Sequence, residues 1–193
     1  MMRKILVMLL AFGLLLSGCS EKPPAFTNTD VTGLEYAKDF SLKDFNGKLR
    51  SLADFKGKAV IVFFGYTQCP DVCPTTMTDL AAAMKQLGPL ADKVQVIFIT
   101  VDPERDTPQL LSKYVPAFDK RFLGLSGDAA ATAKVATDFK VFYQKVPGKE
   151  PGSYSMDHSA GLYVYDQQGR IRLFARSGEG PDSLVHDLKI LLN

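Results

Sequence analysis

The residues from Ala59 to Tyr66 form a nearly unbroken apolar run, rich in β-branched and aromatic side chains. This run constrains the fold more than any other feature. A strand with no polar face must be covered on both sides, so it belongs at the centre of a sheet. A second such run, Val94 to Val101, follows after one helix-length segment. The segment between them, Pro74 to Leu87, reads as that helix. Pro74 suits a first turn, Ala81-Ala82-Ala83-Met84 are good helix formers, and Gly88-Pro89 stops the helix.

The remaining patterns extend this core. Phe40 to Leu52 reads as two short strands around Asn46-Gly47, a strong hairpin turn signal. After the loop Asp102 to Thr107, a helix capped by Thr107 opens at Pro108 and runs towards Phe118, disturbed at Pro116. Phe122 to Leu125 is a short strand, and Asp128 to Phe139 an alanine-rich helix. Gly161 to Tyr165 and Ile171 to Phe174 form a hairpin about Asp166 to Gly169, and Pro181 to Leu192 closes the chain as an amphipathic helix. This order of elements predicts one α/β domain over residues 33 to 193, with an N-terminal β-hairpin and a central sheet flanked by helices on both faces.

The N-terminus has a different character. Met1-Met2-Arg3-Lys4 is a short basic stretch, Ile5 to Leu16 is apolar without charge, and Ser17-Gly18-Cys19 supplies small residues where a cleavage site belongs. The apolar run is shorter than the roughly 20 residues a membrane-spanning helix needs. Residues 1 to 18 therefore read as an export signal. Leu16-Ser17-Gly18-Cys19 resembles the bacterial lipobox, which implies a lipidated Cys19 as the new N-terminus. Residues 19 to 32, polar and containing Pro23-Pro24, read as a flexible tether. The expected location is outside the cytoplasm, on a membrane facing the periplasm or the extracytoplasmic space. Loss of Arg3 and Lys4 with the signal lowers the basic residues from 23 to 21, equal to the 21 acidic ones. A chain without basic surplus has no means of gripping nucleic acid, and that partner class is excluded.

With lipid on Cys19, the other two of the three cysteines, Cys69 and Cys73, remain as a pair. They lie in Gly65-Tyr66-Thr67-Gln68-Cys69-Pro70-Asp71-Val72-Cys73-Pro74, between a buried strand and a helix start. Free N–H groups and the helix dipole favour negative charge there, so lowered thiol pKa values are expected. Three intervening residues permit a disulfide, either redox-active or merely structural, and also let two sulfurs converge on one ion. Two thiolates suit a soft ion, copper(I) foremost in an exported protein. Zinc is poorly served by two thiols and two histidines. Of these histidines, His186 lies on the last predicted helix, away from the cysteine loop. His158, in Ser155-Met156-Asp157-His158-Ser159 ahead of the strand at Gly161, is either a structural residue or a third ligand able to extend the site to copper(II). Asp71 and Asp157 are candidates to tune the ligands or simply solvated. Asp102 and Arg105 are a candidate loop-fixing pair, while Tyr66, Phe64 and Met77 read as core or pocket wall.

Three blocks together resemble the Sco/SenC family: Phe63 to Pro74 with its Cys-Pro-Asp-Val-Cys-Pro element, Val101-Asp102-Pro103-Glu104-Arg105-Asp106-Thr107-Pro108, and Asp157-His158-Ser159. The resemblance covers roughly residues 33 to 193. It implies a thioredoxin-like fold tethered to a membrane, with Cys69, Cys73 and His158 as ligands of copper(I) or copper(II). It also implies a role in assembling the binuclear copper site of cytochrome c oxidase, whose copper-bearing subunit would be the partner alongside other copper carriers or thiol–disulfide proteins. The competing reading is a thiol–disulfide oxidoreductase in which Cys69 attacks a partner's disulfide and Cys73 resolves the mixed intermediate. A thiol peroxidase would need Thr three residues before its cysteine, whereas Thr67 precedes Cys69 by two. No oxyanion-stabilising arrangement supports a cysteine hydrolase.

Overall fold

The computed structural model describes residues 25–193. The export signal at 1–18, Cys19 and the first part of the tether lie outside these described residues. The strands, in chain order, are β1 (Thr29–Asp30), β2 (Leu42–Asp44), β3 (Leu49–Arg50), β4 (Ala59–Gly65), β5 (Val94–Thr100), β6 (Leu123–Ser126), β7 (Tyr143–Pro147), β8 (Tyr154–His158), β9 (Gly161–Tyr165) and β10 (Ile171–Arg176). The helices are α1 (Val72–Leu87), α2 (Pro108–Phe118), α3 (Ala129–Asp138) and α4 (Asp182–Leu192).

All residues of β4 are buried, and the strand lies inside an eight-stranded sheet of order β1-β10-β9-β4-β5-β6-β2-β3. It runs parallel to β5, from Ala59 opposite Val94 to Gly65 opposite Thr100, and antiparallel to β9. The sheet is therefore mixed. Both faces of β4 are covered, as its composition demands. Phe63 meets the edge of Phe98 with centroids 6.0 Å apart, and Phe98 meets Tyr114 of α2 at 5.8 Å. Phe64 points the other way, onto Phe139 at the end of α3 and Tyr163 of β9. α1 packs beside α4 and α2. Edge-to-face aromatic pairs of this kind contribute about 0.5–1.5 kcal/mol each beyond the area they bury.

The two predicted hairpins share one turn chemistry. Asp44 accepts from the N–H groups of Asn46 and Lys48 and from Arg50 Nε. Asp166 accepts equivalently from Gln168, Arg170 and Arg170 Nε. Gly47 and Gly169 supply the positive φ, +83° and +77°, that these turns require. Thr107 caps α2 by accepting from Leu110 N at 3.2 Å, and Asp128 caps α3 by accepting from Ala131 N at 2.8 Å.

Two features escaped the sequence reading. β1 pairs with β10, so the folded domain includes residues assigned to the tether. Its anchor is Asp187, fully buried on α4, which accepts from Thr27 N, Asn28 N and Asn28 Nδ2 at 2.8–2.9 Å. β7 and β8 form a separate two-stranded sheet, Tyr143 opposite His158 through Pro147 opposite Tyr154. Most side chains of this hairpin are exposed or half-buried, so it shows no apolar period for a sequence reading to detect.

Burial works against ionisation of Asp187, but its hydrogen bonds from Thr27, His186 and Asn28 outweigh it and keep the carboxyl below its usual range. A lowered folded-state pKa means stability that is complete above the unfolded value near 4 and lost as pH falls through the lower folded value. Asp187→Asn is expected to destabilise the protein by about 1–3 kcal/mol at pH 7. Urea unfolding should show the gap between variant and wild type narrowing as pH falls from 4 towards 2. A gap independent of pH would refute this account of the anchor.

Candidate metal centre

The site forms where β4 and β5 end together, at the carboxyl edge of the parallel strands, a common place for binding sites in α/β sheets. After Gly65 the chain leaves β4, turns through Tyr66 to Cys69 (Cys69 N to Tyr66 O, 3.3 Å), and enters α1 at Val72. α1 begins two residues before the predicted start, which puts Cys73 in its first turn beside Pro74, where a missing N–H loses no helical partner. Cys73 N–H points to Cys69 Sγ at 3.4 Å. Both cysteines are free thiols.

The buried carboxylate of Asp106 fixes this loop. It accepts from Thr67 N at 3.0 Å, Thr67 Oγ1 at 2.5 Å and Thr100 Oγ1 at 2.6 Å, so one side chain ties the cysteine loop to the end of β5. Burial raises the Asp106 pKa despite these hydrogen bonds. The sequence reading gave Asp106 no role. Its only signal was membership of the Val101 to Pro108 block.

His158, the last residue of β8, arrives from the separate hairpin. Its Nε2 lies 3.4 Å from Cys73 Sγ. Its Nδ1 lies 3.0 Å from the Ser159 carbonyl oxygen. A carbonyl can only accept, so Nδ1 carries a hydrogen, and in the neutral ring this leaves the Nε2 lone pair facing the sulfur. The imidazole is wedged edge-on between Tyr66 and Phe63, with centroids 5.9 and 6.3 Å away.

Donor atoms of Cys69, Cys73 and His158 all lie within 4.8 Å of one another. Donors sharing an ion at bond lengths of roughly 2.0–2.3 Å cannot be more than about 4.6 Å apart. Three donors around one ion sit closer still, about 3.5–4.0 Å apart, so the cluster lies within about 1 Å of a three-coordinate site. Access is through a surface pocket of about 230 Å³ lined by Cys69, Val72, Met156, Asp157, His158 and Ala160.

The expected fall in thiol pKa does not hold for Cys73. Its side chain is wholly buried, and burial pushes its thiol well above the ordinary value. A helix N-terminus contributes about 0.3–1 kcal/mol to a nearby anion, whereas burying the charge can move a pKa by several units at 1.36 kcal/mol each. Desolvation wins. Tyr66, also buried, has its hydroxyl pKa raised by the same cause.

Of the weaker candidates, Asp102 and Arg105 do pair. Asp102 also accepts from Tyr154 Oη at 2.9 Å, a contact with no counterpart in the sequence analysis. Asp71 and Asp157 are exposed. Phe64 and Met77 are core, and Tyr66 is a wall of the site. His186 hydrogen-bonds Asp187 on α4 and does not join the cluster. Among the described residues, no helix is long and apolar enough to cross a membrane.

Two outcomes follow from this packing. Iodoacetamide should alkylate half-buried Cys69 in the reduced, metal-free protein about tenfold or more faster than buried Cys73, as read by mass spectrometry of peptides. Comparable rates would contradict the burial described. A Cβ on Gly65 would sit 2.8 Å from Phe98 Cε2, 3.0 Å from Cys73 Sγ and 3.1 Å from Phe63 Cε1. Gly65→Ala should therefore cost about 1–3 kcal/mol in urea unfolding and erase the rate difference between the thiols.

Comparison with known proteins agrees with this geometry. The SCO1/SenC family profile matches residues 29–193. Protein SCO2 homolog, mitochondrial, of Bos taurus is 43% identical over 133 residues, covering 68% of this chain and 50% of the bovine protein. The chain thus spans about half the length of that curated relative. The structure of Bradyrhizobium japonicum ScoI with copper bound shares 45% identity and a TM-score of 0.73, covering 80% of this chain and 98% of that one. The solution structures of apo Sco1 from Thermus thermophilus share 42% identity and a TM-score of 0.77, covering 87% and 98%. The mixed sheet with its flanking helices is the thioredoxin-like fold of these proteins. On a match that spans the whole described sheet and all three residues of the cluster, the chain belongs to the SCO1/SenC family.

Proposed function

We propose that this protein is a membrane-anchored copper chaperone that holds copper through Cys69, Cys73 and His158 and serves assembly of the binuclear copper site of cytochrome c oxidase. The observation that carries the reading is the convergence of two sulfurs and one imidazole nitrogen within 4.8 Å. Two thiolates suit copper(I), and the harder imidazole extends the site to copper(II). A relative of 45% identity was solved with copper bound, which supports the choice of metal.

The residues divide the work by depth. Half-buried Cys69 meets the incoming ion first, because it lines the surface pocket. Buried Cys73 must give up its proton as the metal arrives, so binding releases a proton and tightens as pH rises. His158 then supplies Nε2 without losing the bond from Nδ1 to the Ser159 carbonyl. Delivery needs no chemical catalysis: ligands of the receiving subunit replace Cys69, Cys73 and His158 one at a time, starting at the exposed side. Lipidation at Cys19, after removal of residues 1 to 18, would keep the domain near a membrane-bound partner by the stretch that follows.

A second reading, thiol–disulfide exchange with the receiving partner, is favoured by one observation. Cys69 is accessible and Cys73 lies beneath it with its N–H 3.4 Å from the Cys69 sulfur, the asymmetry of an attacking and a resolving thiol. Neither reading excludes the other, because a copper-receiving cysteine pair must be reduced before it can be loaded.

Anaerobic copper titration of the reduced protein separates the readings. One copper per chain is expected, with copper(I) lost in Cys69→Ser and Cys73→Ser. His158→Ala should weaken copper(II) by about tenfold or more while leaving thiol exchange intact. A wild type that retains no copper but exchanges thiols briskly would replace the chaperone reading with the oxidoreductase one.

A further inference from the structure

His158 sits on a hairpin that has no ladder hydrogen bonds to the main sheet. A lone two-stranded hairpin is marginally stable in water, so side chains must hold it over the cysteines. The loop between β5 and α2 provides them. Glu104 pairs with Lys145 of β7 at 2.6 Å, and Asp102 accepts from Tyr154 Oη of β8 at 2.9 Å. Both ties join the loop to the hairpin alone.

Arg105 does more. Its Nε donates to Asp102. Its Nη1 donates both to the Tyr154 carbonyl oxygen at 2.8 Å and to Gln68 Oε1 at 3.2 Å. Its guanidinium carbon lies 3.6 Å from the Tyr154 ring centroid and 5.7 Å from that of Tyr66. Nη2 is buried without a hydrogen-bond partner among the described residues, leaving the ring faces and Asp102 to offset the charge. Gln68 precedes Cys69, Tyr66 packs on His158, and Tyr154 begins the strand that ends in His158. One guanidinium therefore touches residues that neighbour both halves of the cluster.

We propose that Arg105 is the positioning residue that docks the histidine-bearing hairpin on the cysteine loop. It contacts no donor atom of the cluster and acts by fixing the separation of His158 from Cys73. A planar fork that donates in two directions while stacking on a ring is a task for arginine that lysine cannot fill. The cysteines keep their own supports, Asp106 and the start of α1, when the dock opens. Arg105 therefore governs the histidine ligand and not the thiol pair.

The test uses Arg105→Ala and Arg105→Lys with one readout free of metal and one that rests on the copper reading above. In reduced, metal-free Arg105→Ala, alkylation of Cys73 is expected to speed up about tenfold, the equivalent of one lost charge-assisted hydrogen bond. Amide exchange across residues 143–158 should accelerate while residues 60–64 stay as slow as in wild type. With metal, copper(II) should bind about tenfold more weakly and copper(I) within about threefold of wild type, with the lysine variant rescuing little of the loss. A folded Arg105→Ala with Cys73 still shielded, hairpin exchange unchanged and copper(II) as tight as copper(I) relative to wild type overturns the proposal. So does equal loss of both oxidation states with an unaltered hairpin, which would assign Arg105 to the cysteine loop through Gln68. If the wild type holds no copper, the chaperone reading fails and the metal-free readouts decide alone. Should Arg105→Ala not fold, Arg105→Lys, which keeps the charge and loses the two-way fork, is read the same way at about fivefold. Unchanged exchange and alkylation there would overturn the dock.

Discussion

The site depends on one buried carboxylate. Asp106 is 1% exposed, carries three hydrogen bonds and joins two strands' ends that would otherwise diverge into separate loops. β4 and β5 are paired in register as far as Gly65 and Thr100, after which ladder hydrogen bonds no longer hold the chain. From there the positions of Thr67 and Cys69 are set by a side chain 39 residues away from Thr67 in sequence. Burying an acid costs free energy, visible in its raised pKa. Its partners are all donors, so they satisfy the ionised carboxylate, and only while the loop stays folded around it.

The two kinds of ligand are held by different physics. Cys73 is fixed by the helix that contains it and by the floor of β4, where Gly65 leaves space for the sulfur against Phe63 and Phe98. Any side chain at Gly65 would occupy that space. His158 has no such floor in the sheet ladder. Its imidazole is trapped between aromatic edges, and its hairpin is fastened by an ion pair, a tyrosine hydroxyl and a guanidinium stack. A rigid thiol pair with a separately fastened imidazole lets the ring move without disturbing the two sulfurs.

The chemistry of Cys73 follows from the same burial. Its depth shields it from casual oxidation and raises the cost of an uncompensated thiolate. A soft cation bound there would remove that cost by neutralising the charge in place. Cys69 lies nearer solvent, and the difference in exposure gives the pair a direction.

The sequence by itself determined the core strands, the hairpin turns, the helices and the cysteine pair, while His158 is singled out only through the family resemblance. Those features are written in local patterns: continuous apolar strands, capping residues at Thr107 and Asp128, Asp-x-x-Gly turns, and a Cys-x-x-x-Cys element at a strand-to-helix junction. The expected export signal and lipobox rest on equally local patterns and fall outside the described residues. Tertiary structure alone decided what brings the cluster together. The β7–β8 hairpin is exposed on most positions and has no hydrophobic period, so its strands were invisible until the chain folded back on itself. Cys73 departs from the sequence expectation because a helix start is legible in sequence while the depth of a side chain is not. Asp106, Arg105 and Tyr154 act across separations of 6 to 52 residues, and long-range hydrogen bonds leave no periodic trace in a chain. Residue type sets which ligands exist; packing sets whether they meet.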